Sequence, residues 1–433
     1  MPQRRCQFAL TSKLVALSSA EKALAFASTL TFIGLPVLTT TAWAAWQDNP
    51  KSVLDEAWQI VYRSYVNPTF NQVDWVQERQ ALLDQEFTSP EAAHDALKAM
   101  LARLDDPYTR FMTPEQFQAF SNQTNGQLVG VGMRLALDPE TGALMVVKPI
   151  EGSPAMAANV HPGDHILQIN GTSTQGMTVE VAASQIRGEA GTTVELLMQR
   201  NDTAPFVVTL TRARIDLPVV TSALQEIEGK RIGYLRLSAF NAQSAEQMEQ
   251  AIKRLEEQQV DGYVLDLRNN PGGILSQAIA IARMWLDEGT IVRTVDRDGQ
   301  GDVTSANRTA LTDKPLVVLV NGNSASASEV LTGALQDNRR ATVVGTQTVG
   351  KALVQSINRL GDGSGLNVTI ARYYTPSGAD INRKGITPDV VAESPEADQR
   401  DLWLHPDRLG TEQDSQFVTA IAQLRKAIRD NVN

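Results

Sequence analysis

Apolar residues recur at helical spacing in the part of the chain that follows residue 46. One set predicts a first helix and comprises Leu54, Ala57, Trp58, Val61 and Tyr65. A second set spans residues 93–104, and Pro107 ends it. Pro114 then marks the start of a third, shorter helix. No catalytic chemistry stands out in this stretch, so we predict an N-terminal helical domain over residues 45–125.

The next stretch, residues 127–213, carries short apolar runs bounded by turn residues. Residues 144–147 and 166–169 have the length and composition of strands. Asn170-Gly171, directly after the second run, is a strong signal for a hairpin turn. The pattern predicts a small β-rich domain that also contains one helix and a closing strand, at residues 179–187 and 194–199.

Strand and helix patterns alternate over residues 214–395, which predicts an α/β domain with right-handed crossovers. The predicted strands lie at residues 232–237, 263–267, 315–320, 341–344 and 353–360. The predicted helices lie at residues 244–257, 274–286 and 324–337. Ser244 and Gln247 have the spacing of a capping box at the start of the first of them. A further helix near residues 416–428 belongs to a C-terminal tail, 396–433, whose packing the sequence leaves open.

Two of these strands end in residues that can support catalysis. One runs into a glycine turn at residues 269–273, and another runs into three serines, Ser324, Ser326 and Ser328. Sites of α/β proteins form at the carboxyl ends of strands. A serine at a strand-to-helix turn has free backbone amides beside it, which can stabilise an oxyanion. The serines could equally be helix N-caps, and one of the three could cap while another reacts.

A reactive serine needs a base, and histidine is scarce in this chain. Only four histidines occur, and none falls between residues 214 and 395: His94, His161, His165 and His405. A Ser-His-Asp triad would therefore need a histidine from another domain or the tail. Lys351 is the alternative, because it has apolar neighbours and no acid within ten residues on either side. Burial would have to depress its pKa from about 10.4 for the neutral amine to act as a base.

Residues 345–352 read G-x-x-x-x-G-K-A, one residue short of a phosphate-binding loop. Ala352 lacks the hydroxyl that would hold magnesium, and residues 353–358 are typical of a strand rather than a helix. Nucleotide binding is therefore disfavoured. No metal or organic cofactor is implied elsewhere in the chain.

The composition excludes several classes of protein. Hydrophobic residues make up 42% of the 433-residue chain and charged residues 20%, which excludes a mostly disordered or collagen-like protein. A single cysteine excludes a disulfide-stapled scaffold and a cysteine-rich zinc module. The net charge of −10, without a clustered basic stripe, argues against nucleic acid as a partner.

Residues 1–44 have the order of a secretory signal peptide. Four basic residues precede an uncharged run over residues 23–38, and Ala42-Trp43-Ala44 follows. We predict cleavage after Ala44 and export, with an uncleaved N-terminal anchor as the alternative. Cleavage would leave 389 residues, remove Cys6 with the leader, and change the net charge from −10 to −13.

The run Gly152-Ser153-Pro154-Ala155, together with GDHILQING at residues 163–171, resembles a PDZ domain over residues 127–213. The resemblance implies that a peptide's C-terminus is added as a strand to a sheet edge, with its carboxylate held by the amides of a glycine-containing loop. That loop would be Val131-Gly132-Met133, for which an ordinary tight turn is the alternative reading.

The serine region resembles the carboxyl-terminal processing peptidases, also called tail-specific proteases. The matching motifs are Ser324-Ala325-Ser326-Ala327-Ser328-Glu329, Gln336-Asp337, Gly350-Lys351 with Gln355, Asp266 to Gly273, Tyr374 to Gly378, and Asp106 to Phe111. The resemblance extends from about residue 50 to 393. It implies an α/β multidomain protein with a helical domain, a PDZ domain and a crotonase-like βαβ catalytic core over residues 214–395.

The resemblance also implies roles for five residues. Ser326 would be the nucleophile, Lys351 the general base, and Gln355 the residue that orients the lysine. The amides of Gly272 and Ala327 would form the oxyanion hole. One local departure is Ala352, where relatives often have glycine; a methyl group there is too small to affect the chemistry.

The same resemblance implies a substrate class. Relatives with a single PDZ domain in this order occur in photosynthetic organisms, where they trim the C-terminal extension of the photosystem II reaction-centre core protein in the thylakoid lumen. We therefore expect a monomeric serine endopeptidase, soluble after signal cleavage, in a thylakoid lumen or periplasm. Its partner would be an exported protein with a free C-terminal tail, a membrane-associated one included. Relatives also suggest that the PDZ domain gates the active site, with Arg187 as the coupling residue.

Three other functions stay open. A general periplasmic tail-specific protease would share every motif. A PDZ binding scaffold would lack the catalytic pair, although Ser326 and Lys351 are both present. A crotonase-like acyl-CoA enzyme would share the βαβ core, but the signal peptide and the PDZ domain argue against it.

Overall fold

The computed structural model describes residues 50–139, 141–201 and 203–431. The predicted signal peptide, its cleavage site and Cys6 lie outside these residues. Within them, no helix has both the length and the apolar character that a membrane span requires.

The N-terminal region is helical, as its apolar periodicity predicts. Its elements are α1 (Pro50–Ser64), α2 (Trp75–Leu83), α3 (Pro90–Ala102), β1 (Arg110–Met112) and α4 (Pro114–Thr124), with a 3-10 turn at Phe70–Gln72. The helices α2, α3 and α4 start at side chains that accept a backbone amide three residues ahead, namely Asp74, Ser89 and Thr113. Pro90 and Pro114 occupy the first helical position. An amide there has no intrahelical acceptor, so a proline costs the helix no hydrogen bond.

The second region is a small β-rich unit. Its elements are β2 (Gln127–Gly130), β3 (Met133–Leu137), β4 (Leu144–Pro149), α5 (Pro154–Ala157), β5 (His165–Ile169), β6 (Thr172–Ser173), α6 (Val179–Ile186), β7 (Thr193–Gln199), β8 (Phe206–Thr211) and β9 (Ala213–Asp216). The strand order is β3-β4-β5-β7-β8, with β6 paired to β5 and β2 paired to β9. Asn170 and Gly171 make the predicted turn, both with positive φ.

One prediction for this region is wrong. The strand near residues 194–199 was expected to close the unit, but β7 has β5 on one side and β8 on the other. Both β7 and β8 present alternate buried residues to the core, among them Leu196, Met198 and Leu210. The sheet therefore ends at β8, which is its edge strand.

The third region contains a six-stranded sheet covered by helices. Its elements are β10 (Val220–Ile227), β11 (Lys230–Leu237), α7 (Ser244–Glu257), β12 (Gly262–Asp266), α8 (Leu275–Trp285), β13 (Thr290–Asp296), β14 (Gly301–Ser305), β15 (Leu316–Val320), α9 (Ala327–Asp337), β16 (Thr342–Gly345), β17 (Leu353–Arg359), β18 (Gly365–Tyr374), β19 (Val390–Val391), α10 (Glu396–Leu404) and α11 (Ser415–Asp430), with a 3-10 turn at Pro406–Arg408. The sheet order is β10-β11-β12-β15-β16-β19, parallel from β11 onward.

A second sheet joins this region to the N-terminal helices. It has the order β1-β18-β13-β14, and β17 also pairs with β18. Leu360, Leu366 and Val368, in and beside β18, belong to the same buried cluster as the apolar residues of α1 and α3. The helical region thus shares its core with β18 and with the residue that follows β17, the strand that carries Gln355.

The C-terminal helix α11 covers one face of the six-stranded sheet. Successive residues of a strand point to opposite faces, so Tyr263 packs with α7 and α8 while Val264 packs against α11. The buried residues of α11 follow a helical stripe: Phe417, Ala420, Ile421, Leu424 and Ile428. The structure therefore places the tail helix that the sequence left open.

A buried charge cluster fastens α11 to the end of β12. Arg268 bonds the carboxylates of Asp266 and Asp414, each at 2.6 Å from Nη2, and Nη1 also donates to Gln416. Tyr234 donates to Asp266 at 2.7 Å. Arg268 is 4% exposed and Asp266 and Asp414 are fully buried, so one buried cation faces two buried carboxylates, and hydrogen bonds stabilise all three groups.

The predicted capping box at α7 is not formed. Gln243 is the N-cap and makes no side-chain cap bond. The Ser244 hydroxyl donates to the Asn241 carbonyl instead. The Gln247 side chain accepts from the amides of Val219 and Val220. Its oxygen is therefore used in a tertiary contact and not in a capping box.

We predict that Asp414→Ala loosens α11 from the sheet. The substitution removes two bonds to Arg268, so buried guanidinium N–H groups lose their acceptor, and it removes the side chain that accepts the Phe417 amide at the start of α11. The expected loss in the free energy of unfolding of this helix is about 3 kcal/mol. Hydrogen exchange of residues 415–430 measures it, with the β-rich region, residues 127–216, as internal reference.

Glu412→Gln is the matched control, because Glu412 is an exposed carboxylate of the same segment. It should leave exchange of α11 unchanged. Equal protection of α11 in Asp414→Ala and in the unaltered protein would contradict the assigned role of the charge cluster.

Candidate active site

The two predicted strand ends lie side by side. Strands β12 and β15 are parallel neighbours, and Asp266 stands opposite Leu319, so both strands end at the same sheet edge. The loops beyond them are bonded to each other: the Asn269 amide donates to the Asn321 side chain, and the Ala325 amide donates to the Asn270 carbonyl at 3.0 Å. The glycine turn and the serine run therefore form one rigid edge.

The three serines of this edge have different surroundings. Ser324 and Ser328 are fully buried, and their hydroxyls donate to the carbonyls of Leu267 and Asn270. Ser326 is partly exposed, and its hydroxyl donates to no acceptor within the described residues. Of the three serines, Ser326 is thus the one whose hydroxyl proton is not already engaged in a hydrogen bond and is available to a base.

Ser326 sits in a strained backbone conformation. Its φ is 56° and its ψ is −115°, values that non-glycine residues rarely adopt. Such a conformation costs on the order of 1–3 kcal/mol, so the surrounding bonds must hold it. Ser326 directly precedes α9, and the Ala327 amide is therefore the first of that helix, where amides lack an intrahelical acceptor.

The carboxylate of Glu329 holds that conformation and connects it to Lys351. One oxygen accepts the amides of Ser326 at 2.8 Å and Lys351 at 2.9 Å. The other accepts the Gly350 amide and the Thr348 hydroxyl, both at 2.6 Å. Glu329 is fully buried, so these bonds are shielded from water.

Tyr373 joins the same two residues from the second sheet. Its hydroxyl lies 3.1 Å from the Ser326 carbonyl and 2.5 Å from the Lys351 carbonyl, and it donates to both. Burial raises the pKa of Tyr373 well above its ordinary value, so the hydroxyl keeps its proton. Ser326 and Lys351 are therefore bridged twice through their backbones.

Lys351 is half-buried and its pKa is lowered. Burial is the main cause, because it disfavours the ammonium form, and the positive charge of Arg110 adds to it. Asp106 and Glu329 act in the opposite direction. The sequence neighbourhood of Lys351 is free of acids, but folding brings these two close from other elements.

The proposed oxyanion donors lie against Ser326. Gly272 has φ 98°, and a Cβ there would come within 2.8 Å of Ser326 Cβ and 2.9 Å of the Ala327 amide nitrogen. Only glycine permits this approach. The Gly272 amide donates to Asn270 Oδ1 at 2.9 Å in this structure, so one of the two predicted donors is engaged.

Gln355 follows Lys351 by four residues and is not bonded to it. It lies on β17 and pairs with Thr369 of β18. Its amide nitrogen is buried and has no hydrogen-bond partner within the described residues, and the Lys351 amine donates no hydrogen bond there either. The structure thus brings Ser326, Lys351, Gly272 and Ala327 together, and leaves Gln355 with an unused donor.

The predicted peptide loop lies at an edge of the β-rich sheet. β3 has β4 on one side only, and α6 packs against it. The Val131 and Gly132 carbonyls accept the amides of Ala155 and Ile150, which fixes the loop that leads to Met133. Gly132 has φ 76°, and a Cβ there would come within 2.2 Å of the Ser153 side chain.

Arg187 makes no hydrogen bond or ion pair with Ser326 or Lys351 among the described residues. It is the exposed residue that ends α6, and its side chain makes no hydrogen bond or ion pair with any described residue.

The histidines are engaged elsewhere in the described part of the chain. His94 bonds Asp362 at 2.9 Å and His165 bonds Asp138 at 3.0 Å. The ring of His161 bonds Asn159, and His405 lies 3.9 Å from Asp401.

Sequence reasoning missed three residues of this site: Glu329, Tyr373 and Tyr108, whose ring lies over the Lys351 amine. Glu329 had a usable signal, since an acid three residues after a helix N-cap commonly turns back to the cap. Tyr108 lies in the motif from Asp106 to Phe111, which was matched without a role for the tyrosine. Tyr373 had no signal, because only folding brings its strand to the lysine.

We predict that Glu329→Gln loosens both the loop that carries Ser326 and the loop that carries Lys351. A glutamine offers one acceptor oxygen in place of two, and its NH₂ group would face amides that also donate. Each buried amide left without an acceptor costs about 1–3 kcal/mol. Faster hydrogen exchange over residues 324–330 and 348–352 is expected, and unchanged exchange there would contradict the bridging role. Glu249→Gln, on the outer side of α7, is the control.

Comparisons with known proteins now add to this geometry. Residues 231–392 match the family described as peptidase family S41, and residues 121–199 match the PDZ domain. The carboxyl-terminal-processing protease of Synechocystis sp. is 45% identical over 80% of this chain and 81% of that protein. The chloroplastic carboxyl-terminal-processing peptidase 3 of Arabidopsis thaliana is 42% identical over 78% of this chain and 68% of that protein.

A solved structure agrees with these relatives. It is named photosystem II D1 C-terminal processing protease, and it is similar to this chain with a TM-score of 0.55 and 36% identity, over 85% of this chain and 99% of that one. The predicted fold class, a PDZ domain with a mixed α/β peptidase region, is therefore confirmed. The chain is a peptidase of family S41 and belongs to its carboxyl-terminal-processing proteases.

Proposed function

We propose that this peptidase is a serine endopeptidase that uses a Ser326–Lys351 dyad to remove a C-terminal extension from an exported protein. The observation that carries the proposal is the Glu329 carboxylate, one oxygen of which accepts the amides of both residues. The partly exposed Ser326 hydroxyl and the lowered pKa of Lys351 support it, since one can give a proton and the other can take it.

The proton path follows from these two groups. Neutral Lys351 takes the hydroxyl proton as Ser326 Oγ attacks the peptide carbonyl, and the C–O bond of a tetrahedral intermediate forms. The lysine then gives that proton to the leaving amine, and the peptide C–N bond breaks. Neutral Lys351 then takes a proton from a water molecule, whose oxygen attacks the acyl-enzyme. The C–O bond to Ser326 Oγ breaks, the new C-terminus is released, and Lys351 returns the proton to Oγ.

The negative charge on the intermediate is assigned to the amides of Ala327 and Gly272. Ala327 starts α9, whose N-terminal end carries partial positive charge. Each such donor typically contributes about 3 kcal/mol to the transition state. The Gly272 amide must exchange Asn270 for the substrate oxygen, and Gln355 is assigned to bond the lysine amine once substrate is bound.

The β-rich region supplies the specificity in this proposal. The edge strand β3 and the loop Val131-Gly132-Met133 accept an extended peptide and its terminal carboxylate. The substrate we propose is the photosystem II reaction-centre core protein precursor, in a thylakoid lumen or periplasm reached through the signal peptide. The support is that a similar solved structure is named for processing of the photosystem II D1 C-terminus, and that cyanobacterial and chloroplastic relatives match most of the chain. We propose a monomer, with Arg187 coupling peptide capture to catalysis.

We predict that Ser326→Ala and Lys351→Ala each lower kcat/KM on a tail peptide at least about a thousand-fold. Lys351→Arg keeps the positive charge but cannot deprotonate near neutral pH, so it should be equally inactive. The unaltered enzyme should gain activity as pH rises through the lowered pKa of Lys351, and lose it as pH falls. Normal turnover by any of the three variants would contradict the dyad.

We predict that cleavage requires a free C-terminus. Amidation of the tail removes the carboxylate that the glycine loop would hold, and should raise KM about tenfold or more with a smaller change in kcat. Gly132→Val should abolish the difference between the free and amidated peptides, because a side chain there meets Ser153. Mass spectrometry of products reads the cleavage site.

Two substrates separate the proposed role from a general protease. One is the tail of the photosystem II core protein precursor, and the other is an unrelated unfolded protein with a free C-terminus. Equal cleavage of both would favour general periplasmic proteolysis over dedicated processing.

A further inference from the structure

A loop of the helical region reaches the proposed base. Residues 106–110 connect α3 to the five-stranded sheet, and β1 begins at the last of them, Arg110, which pairs with Asn367 of β18. The loop is fastened on both sides: Asp106 accepts the Tyr108 amide at 3.0 Å and the Thr109 hydroxyl at 2.7 Å. Thr109 in turn accepts the Thr369 amide at 3.1 Å.

The braced loop places one aromatic ring over the lysine. The Lys351 amine nitrogen lies 4.3 Å from the centroid of the Tyr108 ring, within the range of a cation–π interaction. The Lys351 amine makes no hydrogen bond within the described residues, so the Tyr108 ring is its direct partner. Tyr108 itself is partly exposed and is not part of the buried core of its region.

Gln355 does not take part in this contact. A buried side-chain donor without an acceptor is uncommon in folded proteins. Gln355 Nε2 is such a donor, and it lies on the strand that follows Lys351. A lysine ammonium has three donors and no acceptor, so it could not satisfy this amide, and the two side chains make no hydrogen bond with each other.

We propose that Tyr108 is a positioning residue for the base: its ring holds the Lys351 ammonium between turnovers and releases the amine toward Ser326 once the proton is lost. The proposal rests on Lys351 being the base. It gives the helical region a part in the reaction, although its sequence shows no catalytic group.

The physical reason is that the face of an aromatic ring attracts the ammonium and not the neutral amine. The ring therefore favours the protonated form, in opposition to burial. The other groups that act on the lysine are Arg110 from β1, Asp106 from the loop and Glu329 from α9. Tyr373 bonds only the lysine carbonyl and keeps its proton.

The pH at which Lys351 loses its proton therefore depends on the ring. Removing the ring removes stabilisation of the ammonium alone, so the amine becomes neutral at lower pH. The acidic limb of kcat/KM reports that step for the free enzyme. A substitution that only disturbed packing would lower the height of the profile without moving its midpoint.

The test compares Tyr108→Leu with Tyr108→Phe in the full enzyme. Leucine keeps apolar bulk without a ring face, and should move the acidic midpoint of kcat/KM down by roughly half a unit to one pH unit. Phenylalanine keeps the ring and loses only the hydroxyl, so its midpoint should stay with that of the unaltered enzyme. Tyr108→Trp, with the strongest ring, should move the midpoint upward.

The controls separate this inference from the proposed function. Tyr62→Leu removes an exposed ring of the same helical region and should leave the midpoint in place. Loss of activity in Lys351→Ala, with identical midpoints for the leucine, phenylalanine and tryptophan variants, would overturn the role of Tyr108 and keep the dyad. Activity in Lys351→Ala would overturn the dyad itself. If the leucine variant fails to fold, the upward shift in Tyr108→Trp decides the question.

Discussion

The carboxylate of Glu329 is the constraint on which the geometry of this site depends. A strained residue, Ser326, and a half-buried cation, Lys351, are both unfavourable on their own. Glu329 accepts the amide of each through one oxygen, and fixes the lysine loop through the Gly350 amide and the Thr348 hydroxyl with the other. Because Glu329 belongs to the first turn of α9, the helix that follows the serine also sets the position of the lysine.

The site lies where the two sheets of the third region meet. Ser326 follows β15 of the six-stranded sheet, whereas Gln355 and Tyr373 belong to the five-stranded sheet. Lys351 lies on the connection between β16 and β17, which leads from one sheet to the other. Since the N-terminal helices share their core with β18, a loop such as residues 106–110 can approach the lysine without an interface between separate domains.

Much of this was predictable from the sequence, for a definite reason. Parallel strands align their carboxyl ends, so runs such as Leu316–Val320 followed by serines locate one wall of the site. The contacts that Glu329 and Tyr108 make with Lys351 were not predictable. These residues lie 22 and 243 positions before the lysine, and local periodicity carries no information on contacts at such separations. The same limit explains the capping box expected at Ser244, where Gln247 serves a tertiary contact instead. Local pattern predicts elements well, and predicts poorly which partner a polar side chain takes.

Three features of the site describe an enzyme at rest. The Gly272 amide is bonded to Asn270, the Lys351 amine lies over Tyr108, and the Gln355 amide has no partner. In the proposed mechanism each needs only a local exchange, because the backbones of Ser326 and Lys351 are already held by Glu329 and Tyr373. In the proposed mechanism, a substrate carbonyl would replace Asn270 as the acceptor of the Gly272 amide. On the proposed mechanism, substrate therefore has only side-chain and amide contacts left to rearrange.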